Sequence, residues 1–305
     1  MPWRKPANPS GKILGVQPAL DALLARTVPE GGFSGRIGGR LRLDATAWAA
    51  LVLALDSRAP AETLGAARGC LARQQRPDGS LAILPLHWMA VWPTAIAALA
   101  WHGSAVHQAA RAAATGFLLT SGGEPLEDRG VYGHDTSLQG WSWTHSTHSW
   151  VEPTAISVIA LRAAGLEAHP RVDEAQRLLM DRQLPSGGWN YGNTIVFGSE
   201  LRPMPASTGI ALSALAGWAP IAALEKSLDY VTSEIARLRT PFSLGWSLLG
   251  LQAWGYRPAG ADSWIEEAWS GPTEHLPADT AELAILLLAS LAPAGLLAAL
   301  HRSAA

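Results

Sequence analysis

Apolar and polar positions alternate along this chain on the scale of whole helices. Segments 47–55, 95–101, 155–164, 210–215, 246–254 and 281–291 are apolar nearly all round, and a helix without a polar face has to be covered on every side. Between them, and before the first, lie segments 17–26, 61–75, 106–120, 172–183, 221–238 and 262–269, richer in Arg, Glu and Gln. Their polar residues fall on one face, as suits a helix with one side in water. Six buried helices alternating with six amphipathic ones predict an inner ring inside an outer ring. Period-two alternation is confined to short stretches, so the fold class expected is all-α: an α6/α6 toroid (α/α barrel) of six helical hairpins.

Each apolar segment opens on a similar step. The openings read Asp44-Ala45-Thr46-Ala47, Trp92-Pro93-Thr94-Ala95, Glu152-Pro153-Thr154-Ala155, Ala206-Ser207-Thr208-Gly209, Phe242-Ser243-Leu244-Gly245 and Ala278-Asp279-Thr280-Ala281. With Thr46, Thr94, Thr154, Thr208, Leu244 and Thr280 as equivalents, the steps are 48, 60, 54, 36 and 36 residues. Spacing of this order marks an array of helical hairpins, with loops inserted where a step lengthens. A repeat running from end to end predicts a single domain over 1–305, with 1–16 as an N-terminal arm.

The turns carry their own signal. Gln75-Arg76-Pro77-Asp78-Gly79-Ser80 and Gln183-Leu184-Pro185-Ser186-Gly187-Gly188-Trp189 each join a helix-ending Gln to a Pro/Gly turn. Glycine supplies positive φ there, and proline stops the helix. The Gln side chain is expected to bond backbone groups while Trp189 packs against it, tying successive hairpins together. A partial version without the Gln stands at Pro29-Glu30-Gly31-Gly32-Phe33.

A Gln-x-x-x-Gly-Gly-Trp turn followed by an apolar helix headed by Thr-Ala resembles the repeat of the terpene cyclase and protein prenyltransferase superfamily, which includes the squalene-hopene cyclases and related prenyltransferase and squalene oxidase repeat proteins. The resemblance runs from about Gly31 to Leu291. It implies a toroid with the N-terminal ends of its inner helices around a central cavity, a scaffold that also serves polysaccharide lyases and non-catalytic proteins. Class II cyclases of this superfamily carry an Asp-x-Asp-Asp motif directly before Thr-Ala, one Asp of which protonates an alkene or epoxide. No full motif occurs here. Alignment on Thr-Ala nonetheless places Asp44 and Glu152 at the donor position, with Asp279 one place later.

Composition removes several alternatives. Hydrophobic residues make up 48% and charged residues 16%, enough for a large core, and the formal charge of −2 gives no footprint for nucleic acid. The single cysteine, Cys70, allows neither an internal disulfide nor a multi-thiolate zinc site. It falls on an outer helix and no Asp-x-Cys exists, which disfavours zinc-dependent protein prenylation. Met1 to Gly11 lacks a signal-peptide apolar stretch, so a cytoplasmic protein is expected. The apolar segments 81–101 and 283–300 are interrupted by Pro85, His87, Pro93 and Pro293 and read as buried helices rather than spans.

Candidate chemistry gathers before the third inner helix. Tyr132, His134, Asp135, Gln139, Trp141, Trp143, His145, His148 and Trp150 lie in the inserted loop that precedes Glu152, and a long loop at a cavity mouth is more often functional than not. Glu152 and Asp44 are the candidate acids. Simple helix capping is the competing role for Asp44 and Asp279. His145 and His148 could tune Glu152, or bind a metal with Asp135 or Glu152; the expectation adopted is that no metal and no organic cofactor is needed. Fourteen tryptophans stand against four Phe and four Tyr. Trp48, Trp88, Trp92, Trp141, Trp143, Trp150, Trp246 and Phe242 lie near inner-helix starts, where aromatic faces could hold a cation. Gly31 to Gly39 with Arg36, Arg40 and Arg42 is read as a repeat turn or lid rather than a diphosphate cradle. The function expected is acid-initiated cyclisation of a polyprenyl or triterpenoid-like lipid, with peripheral membrane contact to collect it. A glycan-acting lyase or hydrolase and a non-catalytic lipid- or protein-binding toroid are the alternatives.

Overall fold

The computed structural model describes residues 16–85, 89–127, 132–270 and 278–303. Its α-helices, in chain order, are α1 (Val16–Leu24), α2 (Leu43–Leu55), α3 (Ala61–Gln74), α4 (Pro93–Ala100), α5 (Gln108–Thr120), α6 (Val151–Ala163) and α7 (Pro170–Asp181). They continue with α8 (Pro205–Leu215), α9 (Glu225–Glu234), α10 (Pro241–Ala253), α11 (Ala261–Ser270), α12 (Thr280–Leu291) and α13 (Leu296–Ser303). Among the described residues the sheet is one antiparallel hairpin, β1 (Ile195–Val196) and β2 (Ser199–Glu200).

The even-numbered helices form a closed inner ring. Helix α2 packs on α4, α4 on α6, α6 on α8, α8 on α10, α10 on α12, and α12 returns to α2. The outer helices lean on them, α1 on α12, α3 on α2, α5 on α4 and α6, α7 on α6 and α8, α9 on α8 and α10, and α11 on α10 and α12. Each inner helix is separated from the next by an outer helix returning the chain, so all six run the same way. Their N-terminal ends surround one mouth. Helix α13 has no counterpart in the repeat: it turns 73° from α12 and packs on α2, α6, α10 and α12. It buries Leu296, Ala299 and Leu300 and closes the opposite end of the ring. Among the described residues no single helix is long and apolar enough to cross a membrane.

The threonine of the repeat does not cap its helix. Thr46, Thr154 and Thr208 are each the fourth residue of their helix and Thr94 the second. Each hydroxyl oxygen accepts a backbone N–H from the preceding turn: Phe33 at 2.9 Å, Leu81 at 2.8 Å, Trp141 at 2.9 Å and Trp189 at 2.9 Å, in the order Thr46, Thr94, Thr154, Thr208. This clamp explains the Gly-aromatic pairs. A Cβ on Gly32, Gly140 or Gly188 would lie 2.8, 2.2 or 3.0 Å from the hydroxyl oxygen of Thr46, Thr154 or Thr208, so a larger residue would push the turn off the helix. The aromatic after the glycine then drops into the core: Trp189 is fully buried, with its Nε1 donating to Leu179 O at 2.6 Å.

Glutamines tie neighbouring hairpins as expected from the turns. Gln75 Nε2 donates to Gly79 O and to Ala110 O on α5, while Gln183 Nε2 reaches Ala223 O and Ser227 Oγ beside and on α9. The last repeat uses its threonine to close the ring. Thr280 Oγ1 donates to Ser34 O at 2.6 Å and accepts from Arg26 Nη1 at 3.1 Å.

Thr208→Val keeps the shape and leaves the Trp189 N–H unpaired in the core. A loss of about 1–3 kcal/mol is expected, read as a lower urea midpoint at unchanged slope; an unchanged midpoint would show that the clamp contributes nothing.

Candidate functional site

The inserted loop and the turn before α8 bring chemistry to the mouth of the ring. Glu152, the second residue of α6, follows Trp150 in extended conformation. Its side chain is 8% exposed, and Ser207 on α8 donates its hydroxyl to Oε1 at 2.8 Å. Burial raises the carboxyl above its ordinary range, and the Ser207 hydrogen bond opposes that rise without cancelling it. The result is a carboxylic acid inclined to keep its proton, beside a donor that favours the anion once the proton leaves.

Asp44 occupies the equivalent position on α2 in a different setting. Both its oxygens accept from Arg42, Nε to Oδ1 at 3.1 Å and Nη2 to Oδ2 at 2.5 Å. Arg42 Nη1 also bonds Asp279 Oδ2 at 2.9 Å, and Asp44 raises the Arg42 guanidinium above its usual value. Of the two acids weighed as caps, only Asp279 is one. It accepts the Ala281 N–H at 3.0 Å, and Glu282 closes a capping box by accepting the Asp279 N–H at 2.7 Å. The Arg42 cluster lies between α12 and α2, three places round the ring from the Glu152–Ser207 pair between α6 and α8, so the two face each other across the mouth.

The other candidate residues divide by surroundings. His148 stacks on Trp150, centroids 4.6 Å apart, and burial followed by the nearby Arg182 charge lowers its pKa. His145 lies against a cavity of about 30 Å³ with Val91, Trp92, Phe117, Trp141 and Ser157, room for about one water. Among the described residues neither histidine bonds Glu152, whose partner is Ser207. Asp135 is exposed, accepts from Ser137 N and Oγ, and donates its own N–H to Asp181, which makes it a turn residue. No group of three or more His, Cys, Asp or Glu side chains able to hold a metal occurs among the described residues.

Trp141 takes the packing place that Trp189 takes in the next repeat. Its Nε1 donates to Leu118 O at 3.1 Å, and the Arg171 guanidinium lies 4.8 Å from the ring. Trp92 and Trp143 meet edge to face at 5.1 Å, and Phe242 is half-buried in the first turn of α10. Trp88 lies outside the described residues. Trp48 and Trp246 are 3% and 1% exposed and meet edge to face at 5.8 Å. They belong to α2 and α10, which α12 separates in the ring, so the two indoles meet inside the lumen.

Three residues at the mouth escaped the sequence. Ser207 stood in the quoted opening step, next to Thr208, but only the pairing of α6 with α8 brings it to Glu152. His134 stands in the loop with both ring nitrogens buried, and burial, followed by the Arg182 charge, lowers its pKa to about 4 against a smaller opposing contribution from the Tyr132 backbone. Arg182 is 5% exposed and pins the loops by donating to Gly192 O at 2.9 Å and Asp135 O at 3.4 Å.

No protein family matches the sequence, and no curated protein matches it. Solved structures do. The type II terpene cyclase MstE from Scytonema, without ligand, is 15% identical, with a TM-score of 0.57 over 92% of this chain and 98% of that one. A variant of the same cyclase in complex with geranylgeranyl dihydroxybenzoate is 14% identical, with a TM-score of 0.60 over 92% and 98%. An inactive variant of the α-1,6-mannanase GH76A of Salegentibacter sp. HEL1_6, in complex with α-1,6-mannotriose, is 11% identical, with a TM-score of 0.63 over 92% and 98%. These likenesses show the fold, an α/α toroid.

The raised Glu152 carboxyl gives stability a defined pH dependence. Below the unfolded pKa both states hold the proton and stability does not change with pH. Above it ionisation favours the unfolded chain, and stability is lost as pH rises through the folded value. Glu152→Gln is therefore expected to stabilise the protein more, relative to wild type, at about pH 8 than at about pH 4, as measured by urea unfolding at both. A difference independent of pH would show that Glu152 is not held in its acid form. For His134 the sign is reversed: its folded pKa lies below the unfolded one, so it costs stability as pH falls from about 6.5 towards 4. His134→Phe should flatten the stability profile across that window.

Proposed function

We propose that this chain is a terpene cyclase-like enzyme in which Glu152 protonates the terminal alkene of an isoprenoid. The observation that carries the reading is the buried Glu152 carboxyl at an inner-helix N-terminus, raised by burial and hydrogen-bonded by Ser207. A proton donor to a weak base has to stay protonated until it acts, and its anion has to be stabilised afterwards. Burial supplies the first condition. The Ser207 hydroxyl and the positive end of the α6 dipole supply the second.

In the proposed reaction the Glu152 O–H bond breaks as a C–H bond forms at the alkene, leaving a carbocation and the Glu152 carboxylate. The electron pair of a second double bond then closes the ring, loss of a proton from the cyclised cation to water ends the sequence, and a solvent proton restores the Glu152 acid. Partly buried aromatic rings at the mouth, Trp92, Trp143, Trp150 and Phe242, present faces that attract a cation without trapping it. Geranylgeranyl dihydroxybenzoate and merosterolic acid A are bound by variants of the structurally similar MstE, which supports an isoprenoid-like ligand. Peripheral contact with a membrane that supplies the lipid belongs to the same proposal. Asp44 is the weaker donor candidate because Arg42 engages both its oxygens.

A glycosidase reading needs two carboxylates flanking one bond. Asp44 and Asp279 are instead shared by Arg42, so the acid chemistry falls to Glu152 alone.

Incubation with farnesyl- and geranylgeranyl-bearing compounds, read by mass spectrometry for cyclised isomers of unchanged mass, tests the proposal. Glu152→Gln is expected to lower turnover by about 10³-fold or more, within the range for removing a general acid, and Ser207→Ala by about 10-fold. Turnover unaffected by Glu152→Gln, or release of sugar from α-1,6-mannan oligosaccharides, would overturn it.

A further inference from the structure

Among the described residues the lumen offers no open surface to a long apolar chain. Its lining is almost inaccessible, with Trp48 at 3%, Trp246 at 1% and Ile156 at 5%, whereas a void of ligand size would leave these surfaces open. Trp48 and Trp246 are each the sixth residue of their helix, and Glu152 is the second of its own. At the rise of an α-helix the indole pair therefore stands about 6 Å below the acid. A terminal alkene at the mouth would meet Glu152, which at 8% is the least covered of these residues, but a coiled polyene cannot lie beneath it.

An apolar groove of about 650 Å³ opens on the rim instead. It lies between Tyr132 and the β1–β2 hairpin, lined by Asn193, Ile195, Val196 and Phe197, and its volume is that of an ordinary small-molecule site. The groove is tied to the helix that carries the acid. Tyr191 O, in the turn before the hairpin, accepts the N–H of Val151 at 3.0 Å, one residue before Glu152. Thr194 Oγ1 donates to Gly133 O at 2.9 Å, holding the two walls together. Phe197 stands fully exposed at the hairpin tip with φ 50°, an exposed ring that packing within the chain does not explain.

We infer that this rim groove holds the apolar chain of the substrate, an extended isoprenoid whose terminal alkene alone enters the mouth, with Trp48 and Trp246 as the stop beneath it. This rests on the isoprenoid reading of the mouth. The proposal differs from a substrate folded inside the toroid in which residues it makes decisive: the hairpin rather than the lumen.

The test is titration of the full chain with farnesol and with hexahydrofarnesol, a saturated analogue with no alkene to protonate, followed by calorimetry. Ile195→Ser combined with Phe197→Ser, both on a surface hairpin, is expected to weaken binding of both probes by about 10-fold or more, while Trp246→Phe leaves it within about twofold. Binding indifferent to the hairpin substitutions, or weakened only by Trp246→Phe, would overturn the groove. So would a hairpin variant that changes only the oligomeric state or only vesicle binding, since the apolar tip would then serve a second copy or a bilayer. Binding of hexahydrofarnesol that follows the expected pattern in a protein without turnover would keep the groove and reject the acid chemistry.

Discussion

Four of the inner helices are positioned by one hydrogen bond between a repeat threonine and the backbone of the preceding turn. In four repeats the hydroxyl accepts an N–H from the turn before the helix, and that single contact sets where the turn stops and the helix begins. A buried N–H without an acceptor would cost more than the bond itself contributes. The clamp therefore also imposes glycine wherever the turn passes over the hydroxyl, and it aims the next aromatic into the core. Helix placement, the Gly-Trp pairs and the buried indoles are consequences of one contact. The fifth repeat has Leu244 at the equivalent position and lacks the hydroxyl. The sixth redirects Thr280 to Ser34 and Arg26, which turns a linear array into a ring.

With the ring closed, inner-helix N-termini converge on one mouth, and the carboxylates there acquire different characters from equivalent sequence positions. Asp44 meets a guanidinium supplied two residues earlier and shared with Asp279 across the closure. Glu152 meets a hydroxyl from the next inner helix and little water. The charged cluster serves the closure of the ring, since Arg42 joins the first inner helix to the last. The Glu152–Ser207 pair has no comparable structural task, and a buried acid held without a cation partner is costly. That asymmetry is why the proposed proton donor is Glu152 rather than Asp44.

Much of the scaffold was legible before any coordinates. The polar faces of the outer helices and the all-round apolar inner ones predicted both rings, and the glutamine turns predicted the ties between hairpins, which Gln75 and Gln183 make. The role of the threonines was less legible. Thr46, Thr154 and Thr208 read as helix openers but sit a full turn inside, because their bonds run to residues 13 to 19 positions earlier, beyond the reach of a local capping pattern. Helix α13 carries no repeat signal, since its place depends on the end of the ring that it covers.

Local composition and period determined the helices, their two classes and the acids at inner-helix starts, because amphipathicity and turn chemistry act between residues close in sequence. Tertiary structure alone decided what those acids are. Ser207 is 55 residues from Glu152 and Asp279 is 237 from Arg42, and no spacing rule joins them. It also decided that Trp48 and Trp246 are buried and meet edge to face, since two indoles on non-adjacent helices meet only when the ring has closed at a particular width. Burial and charge pairing are properties of the closed ring, and they distinguish an acid whose pKa is raised from one held in an ion pair.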